Sequence, residues 1–415
     1  MRAFKAISAG ILTLAGFVAA GPSAQAGNLI TLANFNGLNG SQPASGVTLD
    51  GQGNIYGTTT GVNGNYNQGT VFEINHATGA LTTLVNFNGT NGAYPYGNLT
   101  FDAQGNLYGT TANGGTSSEG TLFEINHATG AFTTLVNFNG ANGAAPQGNI
   151  AVDGQGNIYG VNSSGGPKGA GTVYEFNHAS GTLSTLAIFG SGVSAGYTPI
   201  GFTLDGQGNL YGSTNSGGTG GSGTIFEINR ATGALSVLHN FGVGGTATGG
   251  YVFDSQGNLY GVTQGGELFE LIRSTGAYVT LGSVGGNVGP HAGLVMDSQG
   301  NLFGTTEKTA TSDGSIFEYD RATGKVIGLA YFTGTNGADP IAGLTFDGAG
   351  DLYGTTFNGG TYQSGIVFEL TPPFTAVAPP PAATPEPSTF VMLAVAAVCV
   401  APMVWRRGRR AARVG

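Results

Sequence analysis

A ten-residue string recurs seven times, and no other feature of the chain restricts its possible folds so tightly. The second copy reads Asp102-Ala-Gln-Gly-Asn106-Leu-Tyr108-Gly109-Thr110-Thr111, and the others begin at Asp50, Asp153, Asp205, Asp254, Asp297 and Asp347. Successive starts lie 52, 51, 52, 49, 43 and 50 residues apart. A fixed period of this length, with no helix-like stretch inside it, means stacked copies of one supersecondary unit. The 78 glycines among 415 residues would suggest a low-complexity chain if they were scattered. They recur at fixed places in the period instead, which makes them turn residues of an all-β protein.

The second copy divides into four short strands. They run from Asn98 to Asp102, from Asn106 to Thr111, from Gly120 to Ile125 and from Phe132 to Phe138. Ala103-Gln-Gly and Asn126 to Gly130 are turns, and Ala112 to Glu119 is a Gly-rich loop. Such runs, rich in β-branched and aromatic residues and bounded by Gly, Asn and Asp, read as strands. Four antiparallel strands in about 50 residues make one propeller blade. The expectation is a seven-bladed β-propeller of four-stranded blades over residues 27–370. The repeats open with a lone fourth strand, Asn28 to Phe35, and end with a third strand, Gly365 to Leu370, that has no successor. The first segment can complete the last blade and so remove open sheet edges. In a rival phasing the Leu-Thr-Thr-Leu-Val strand is innermost and every blade is whole. The closed version is preferred, because Asp102 to Tyr108 has the look of the inner strand pair of many propellers.

Residues 1–26 have the form of a secretory signal: Arg2 and Lys5, an apolar run from Ala6 to Ala20, and the small-residue site Ala24-Gln25-Ala26. Residues 371–384 are a Pro-rich, semi-rigid linker. Pro385-Glu386-Pro387 follows, then an apolar run from Phe390 to Trp405 and the cluster Arg406, Arg407, Arg409, Arg410 and Arg413. The apolar run is slightly short of a comfortable span. The arginines place its end on the cytoplasmic side. Removing the basic ends leaves six cations against 22 acidic residues. A body that acidic repels nucleic acid, whose binding depends on neutralising phosphates. The only cysteine, Cys399, lies in the apolar run, so the repeats hold no disulfide even in an oxidising compartment.

The Pro385-Glu386-Pro387 motif, short apolar helix 390–405 and Arg-rich tail together resemble the PEP-CTERM sorting signal of exported bacterial proteins. That resemblance covers residues 385–415. It implies an exosortase-type membrane protease as partner and transfer from the membrane of a Gram-negative-type bacterium to the cell surface or extracellular matrix. The repeats, with Tyr-Gly-Thr-Thr, then Gly-Gly, then Gly-Thr-Val-Phe-Glu, resemble the GloVer tandem-repeat family, which carries no established activity to transfer. Departures are Phe303 for Tyr in copy six, Asp351 for Asn in copy seven and a shortened loop, Gln264-Gly-Gly, in copy five.

The residues that could carry chemistry mostly have a structural reading. The repeated Asp followed by Gly-Asn makes a turn, and it supplies too few oxygens for a calcium loop. Glu73, Glu124, Glu175, Glu227, Glu270, Glu318 and Glu369 recur in the third strand. Six are followed three residues on by His76, His127, His178, Arg230, Arg273 or Arg321. Arginine is no metal ligand, so an ion pair across the hairpin end is expected, not a metal site. Gly192-Val-Ser194-Ala-Gly196 and Gly218-Thr-Gly220-Gly-Ser-Gly223 match a nucleophile elbow and a dinucleotide loop. Neither has the strand-to-helix setting that those reactions need. No cofactor is expected.

Copies differ most in the loops between second and third strands and between fourth and first, which share one face in the preferred phasing. Those loops carry Tyr66, Tyr94, Tyr96, Tyr197 and Tyr362, with Lys168 and Lys308. Loops held by a rigid frame are where binding usually sits. The tyrosines, with Asn and Gly around them, are the expected ligand-binding residues, and polysaccharide is the ligand class that they suit. The sequence therefore reads as a non-enzymatic, surface-sorted propeller that binds or organises extracellular matrix material. A hydrolase or lyase acting at the variable face is the alternative, with Glu119, Glu307, Asp313 and His291 as its available groups. An ice-binding surface built on the repeated Thr-Thr pairs is the third.

Overall fold

The computed structural model describes residues 28–374 and 377, apart from 62–67, 191–194, 244, 289–291 and 308–311. The leader, most of the linker, the sorting motif, the apolar run at 390–405 and Tyr66 lie outside the described residues. Among the described residues no helix is long and apolar enough to cross a membrane.

Seven antiparallel sheets of four strands each form the blades. In blade two the strands are Thr100–Phe101, Leu107–Thr111, Thr121–Ile125 and Phe132–Asn137, paired in that order from the axis outward. The alternative phasing is thereby set aside. Asn28–Asn34 pairs antiparallel with Ile366–Thr371 as the outer strand of the last blade, with Asn28 opposite Thr371 and Asn34 opposite Ile366. The chain ends lock the ring, and the edge that Ile366–Thr371 would otherwise expose is covered. The third and fourth strands slip register once in every blade, for example between Leu122 and Phe123. Such a bulge strengthens local twist.

Hydrophobic packing lies between blades, in one cluster per junction. At the junction of blades two and three, Tyr108, Leu122 and Phe138 meet Ile150, Ile158 and Tyr174. At the closure, Phe35 and Val47 meet Tyr353 and Val367. The repeated words follow from this packing. Gly109 pairs across the sheet with Phe123, and a Cβ on Gly109 would lie 2.5 Å from Phe123 Cζ. The glycine of Tyr-Gly-Thr-Thr therefore makes room for the phenylalanine of the next strand. The Thr-Thr pairs are inside as well: Thr58, Thr59, Thr110, Thr111, Thr305, Thr306, Thr355 and Thr356 are all at most 2% exposed. Most of their hydroxyls are committed internally, as in Thr111 to Thr121 at 2.8 Å and Thr355 to the Ser45 carbonyl at 2.7 Å, while the Thr110 hydroxyl is buried without a partner. This overturns the ice-binding expectation, since these threonines offer water no surface.

The innermost strands are shorter than the sequence suggests, two residues in six blades. The residues just before them are drawn into a ring of glycines around the axis. A Cβ on Gly46 would lie 2.8 Å from the Gly343 carbonyl oxygen, one on Gly148 would lie 2.8 Å from Gly201 N, and one on Gly250 would lie 2.6 Å from Gly293 Cα. Gly97 abuts Gly148, and Gly201 abuts Gly249. Asparagines stitch part of the circle: Asn98 Oδ1 accepts from Gly46 N, and Asn149 Oδ1 accepts from Asn98 N. The axis is thus pinched where the inner strands begin.

Candidate binding face

Antiparallel order puts the turns at Asp102 and Asn126 on one face of the disk, and the loop 112–120 and the blade-to-blade connection 138–150 on the other. The first face is repetitive and filled. Asp102 Oδ1 accepts from the backbone N–H groups of Gln104 and Asn106, while Oδ2 accepts from the Asn106 amide and the Tyr108 hydroxyl. Burial acts to raise the Asp102 carboxyl, but these hydrogen bonds outweigh it and hold it below its ordinary value. In blades one, three, four, five and seven the tyrosine hydroxyl lies within hydrogen-bonding range of both the turn aspartate and the third-strand glutamate, as with Tyr159, Asp153 and Glu175. Burial and these neighbours push the Tyr159 phenol well up.

The cations do not pair as their spacing suggests. Arg230 binds Glu175 of the preceding blade at 3.0 and 3.2 Å, not Glu227 three residues before it. Arg273 likewise binds Glu227 through two hydrogen bonds. Glu227 lies within its strand, Thr224–Ile228, and faces the following blade, whereas Arg230 lies in the turn beyond that strand and reaches back to the preceding one. Arg230, Arg273 and Arg321 each lie over the tyrosine ring of the preceding blade, 5.1, 5.2 and 5.3 Å from its centroid. His178 approaches Glu124 and the Tyr108 hydroxyl of blade two in the same manner. The repeated Glu, Tyr, Asp and cation therefore join blade to blade.

These contacts join the four junctions from blade two to blade six, and the junction of blades six and seven is built differently. Blade six has Phe303 in place of tyrosine, and blade seven has no cation three residues past Glu369. Phe374 fills the gap, its ring 5.5 Å from that of Phe303. Val377 N then donates to the Gly328 carbonyl on the outer strand of blade six. The chain thus passes from the third strand of blade seven to the outer strand of blade six. Among the described residues no cation pairs with Glu318 there, and burial followed by repulsion from Asp320 and Asp297 raises its carboxyl.

The opposite face carries the variable loops. At five blade boundaries a proline packs on the glycine that opens the preceding blade's third strand; Pro95 lies on Gly69 and Pro146 on Gly120. The residue before each proline is left-handed: Gln42, Tyr94, Ala145, Thr198 and Asp339, with φ of 50–56°. Each donates its N–H back to the preceding blade, to the carbonyls of Ser364, Gln68, Glu119, Ala170 and Asp313 respectively. Among the described residues 43 glycines take positive φ but only seven other residues do. One repeat position thus presents five different side chains from the same backbone. The Pro-x-Gly words Pro95-Tyr96-Gly97, Pro146-Gln147-Gly148 and Pro199-Ile200-Gly201 are the sequence signal for this position, which the reading by turns passes over.

The expected tyrosines are not gathered into one site. Tyr94 and Tyr96 share a loop between blades one and two, and burial, with Tyr94 adding to it, pushes the Tyr96 phenol up. Tyr94 lines a cleft of about 430 Å³ with Gln68, Asn88, Thr90, Asn113 and Ser118. Tyr197, 43% exposed, lies against Gly217 between blades three and four, and Tyr362, 58% exposed, is in blade seven. Lys168 flanks Gly190; Lys308 and His291 lie outside the described residues. Of the carboxylates named for an enzyme, the Glu119 and Asp313 carbonyls anchor the boundary loops, and the Glu307 carboxyl is raised by burial and then by Asp339. A further cavity of about 490 Å³ follows the inner strands of blades four to seven below the glycine ring, lined by Thr203, Val252, Val295, Met296, Thr345 and neighbouring aromatic residues. Among the described residues no three His, Cys, Asp or Glu side chains are grouped to hold a metal.

These features define a class: a seven-bladed β-propeller locked by its own two ends, with one face given to repeated inter-blade pairing and one to divergent loops. The sequence profile of the Gloeobacter/Verrucomicrobia repeat matches residues 20–155 and 131–270, more than half of the chain, and the protein belongs to that repeat family. No curated protein matches its sequence. Among solved structures it is similar to the extracellular domain of a one component system from B. thetaiotaomicron, with 14% identity and a TM-score of 0.57 over 83% of this chain and 40% of that one. A chain of the Mitotic Checkpoint Complex gives 11% identity and a TM-score of 0.57 over 88% of this chain and 99% of that one. A protein assigned as a 6-phosphogluconolactonase from Bacteroides fragilis gives 19% and 0.50 over 75% and 87%. At these identities the likeness concerns the fold alone.

Proposed function

We propose that the protein is a non-enzymatic module, exported and displayed at the bacterial cell surface, whose variable face binds extracellular polymer, polysaccharide foremost. The observation that carries this reading is the division of labour between the faces. The repetitive face uses its ionisable groups to join blades, whereas the variable face offers tyrosines, amides and hydroxyls on a rigid frame. The route of the chain is consistent with this division. Its last described residues, Phe374 and Val377, pack on blade six beside Phe303 and on its outer strand, away from the variable loops. Sorting at Pro385, Glu386 and Pro387 by an exosortase-type protease completes the reading, with matrix polysaccharide as the final partner and no cofactor or nucleic acid involved. The extracellular setting of the similar B. thetaiotaomicron domain is consistent with this address.

The test is a glycan array probed with the purified full-length protein in detergent. Saturable binding to any glycan class supports the reading; binding to none removes polysaccharide and leaves a protein partner. A hydrolase reading rests on the raised Glu307 carboxyl beside Asp339, an arrangement suited to a general acid. It predicts glycan turnover that Glu307→Gln abolishes, and an array ligand recovered intact after incubation counts against it.

A further inference from the structure

We infer that the cleft between blades one and two is a binding site for one uncharged sugar unit, with Tyr94 as its platform and Gln68 and Asn113 as its polar contacts. The inference rests on the polysaccharide reading above and locates it. Among the described residues the cleft is lined by Gln68, Asn88, Thr90, Tyr94, Asn113 and Ser118, with glycine backbone between them and no charged side chain. Gln68 Oε1 is buried without a hydrogen-bond partner, and a Cβ on Gly89 would lie 2.8 Å from it, so the amide rests on bare backbone. A buried acceptor left open in this way is normally satisfied by water or a ligand. Asn88 is committed to its own turn, accepting from Thr90 and Asn91. The free polar groups are then a phenol, two amides and the Ser118 hydroxyl around an aromatic ring. Neutral donors and acceptors beside a ring face match a pyranose, which offers hydroxyls at its rim and C–H groups on its face.

The other boundaries repeat the backbone of this cleft without its chemistry. Ala93 N to Asn113 O is matched by Ala144 N to Ser164 O and by Ala338 N to Asn358 O. At blades two and three the positions of Gln68, Tyr94 and Asn113 hold Glu119, Ala145 and Ser164. At blades six and seven they hold Asp313, Asp339 and Asn358, and there the Asn358 amide is tied to Asp339 at 2.9 Å. Only the first of these boundaries combines an aromatic ring with free amides. Because Ala145 and Tyr94 share φ near 50–56°, a tyrosine at 145 meets a backbone already suited to it.

The experiment uses the full-length protein in detergent and the strongest glycan from the array, released as a free oligosaccharide and titrated calorimetrically. Tyr94→Ala is expected to weaken binding at least tenfold, and Gln68→Ala several-fold, with Gln104→Ala, an exposed turn residue of the opposite face, within twofold of the parent. Glu119→Gln/Ala145→Tyr is expected to raise the stoichiometry above that of the parent. Circular dichroism on each variant separates loss of binding from loss of fold. If the parent binds and Tyr94→Ala binds equally, the cleft is refuted while the polysaccharide reading stands. If the parent binds no glycan, both fall.

Discussion

The glycine ring makes a prediction sharp enough to fail. Gly97 does not take a positive φ, so alanine meets no backbone penalty there. Its methyl would instead drive into the Gly148 carbonyl oxygen, with the carbonyl carbon at 3.2 Å. Both groups are backbone of adjacent blades, so relief requires the blades to part. Forcing a methylene into a packed site costs about 1–3 kcal/mol. Gly154 is the control. It lies in a surface turn, has no positive φ, and a Cβ there meets nothing within 4 Å. Gly154→Ala should therefore stabilise by about 0.4–1 kcal/mol through the unfolded chain alone. With a urea slope of about 3 kcal/mol/M, Gly97→Ala lowers the midpoint by roughly 0.3–1 M and Gly154→Ala raises it by roughly 0.1–0.3 M. Urea titrations followed by near-ultraviolet circular dichroism of the buried tyrosines measure both. Gly97→Ala combined with Gly148→Ala should lose less than the sum, because the first methyl already opens the contact that the second would meet. Equal, small stabilisation by Gly97→Ala and Gly154→Ala would show that the axis is not closed by these residues.

Other consequences are as direct. A double-mutant cycle on Arg273→Met and Glu227→Gln should give a coupling of about 1 kcal/mol, limited by the 40% exposure of the Arg273 side chain, and it should shrink in 1 M salt. The same cycle on Arg230 and Glu227, three residues apart, should give none. Glu318 has a raised carboxyl pKa in the fold, so the native state holds its proton more tightly than the unfolded chain does. Stability is lost as pH rises from the ordinary value of 4.5 through the folded one. Glu318→Gln should accordingly raise the urea midpoint at pH 7 and leave it unchanged at pH 3. Deleting residues 28–35 removes the fully buried Phe35 and bares the edge of Ile366–Thr371; light scattering should then show dimers or aggregates.

Much of the architecture is legible in the sequence because each strand carries its own turn. Asp102 and Asn106 fix a hairpin through contacts within four residues, and a pattern reader needs no more than that. The closure was legible for a related reason: an outer strand without a blade at one end and a blade without an outer strand at the other leave one economical solution. What the sequence hides is which side of a sheet faces which neighbour. Glu227 and Arg230 look like partners in the text, yet one sits in the strand and the other in the turn beyond it, and they reach different blades. The Thr-Thr pairs looked like a surface because they are polar, but they are buried in the core, where cross-strand and inter-blade contacts take up most of their hydroxyls. The candidate site was legible only as a set of loops. Tyr94 and Tyr197 look equivalent in the sequence, and only the left-handed residue before each proline separates a side chain lining the cleft from one lying on the surface.

The outer strand of the last blade also bears on when the molecule can exist. Asn28–Asn34 leads the described body and pairs with residues 366–371, so its partner is synthesised about 340 residues later. Until then the first blade lacks its neighbour on one side, and the junction that unites Phe35 with Val367 has no second half. Intermediate blades can condense in order, each on the one before it, but the circle remains an open arc until its final strand emerges. Topologies dominated by such distant pairings fold slowly. Here the delay sets a sequence of events: extension first, closure last, with the protein's own length acting as the timer.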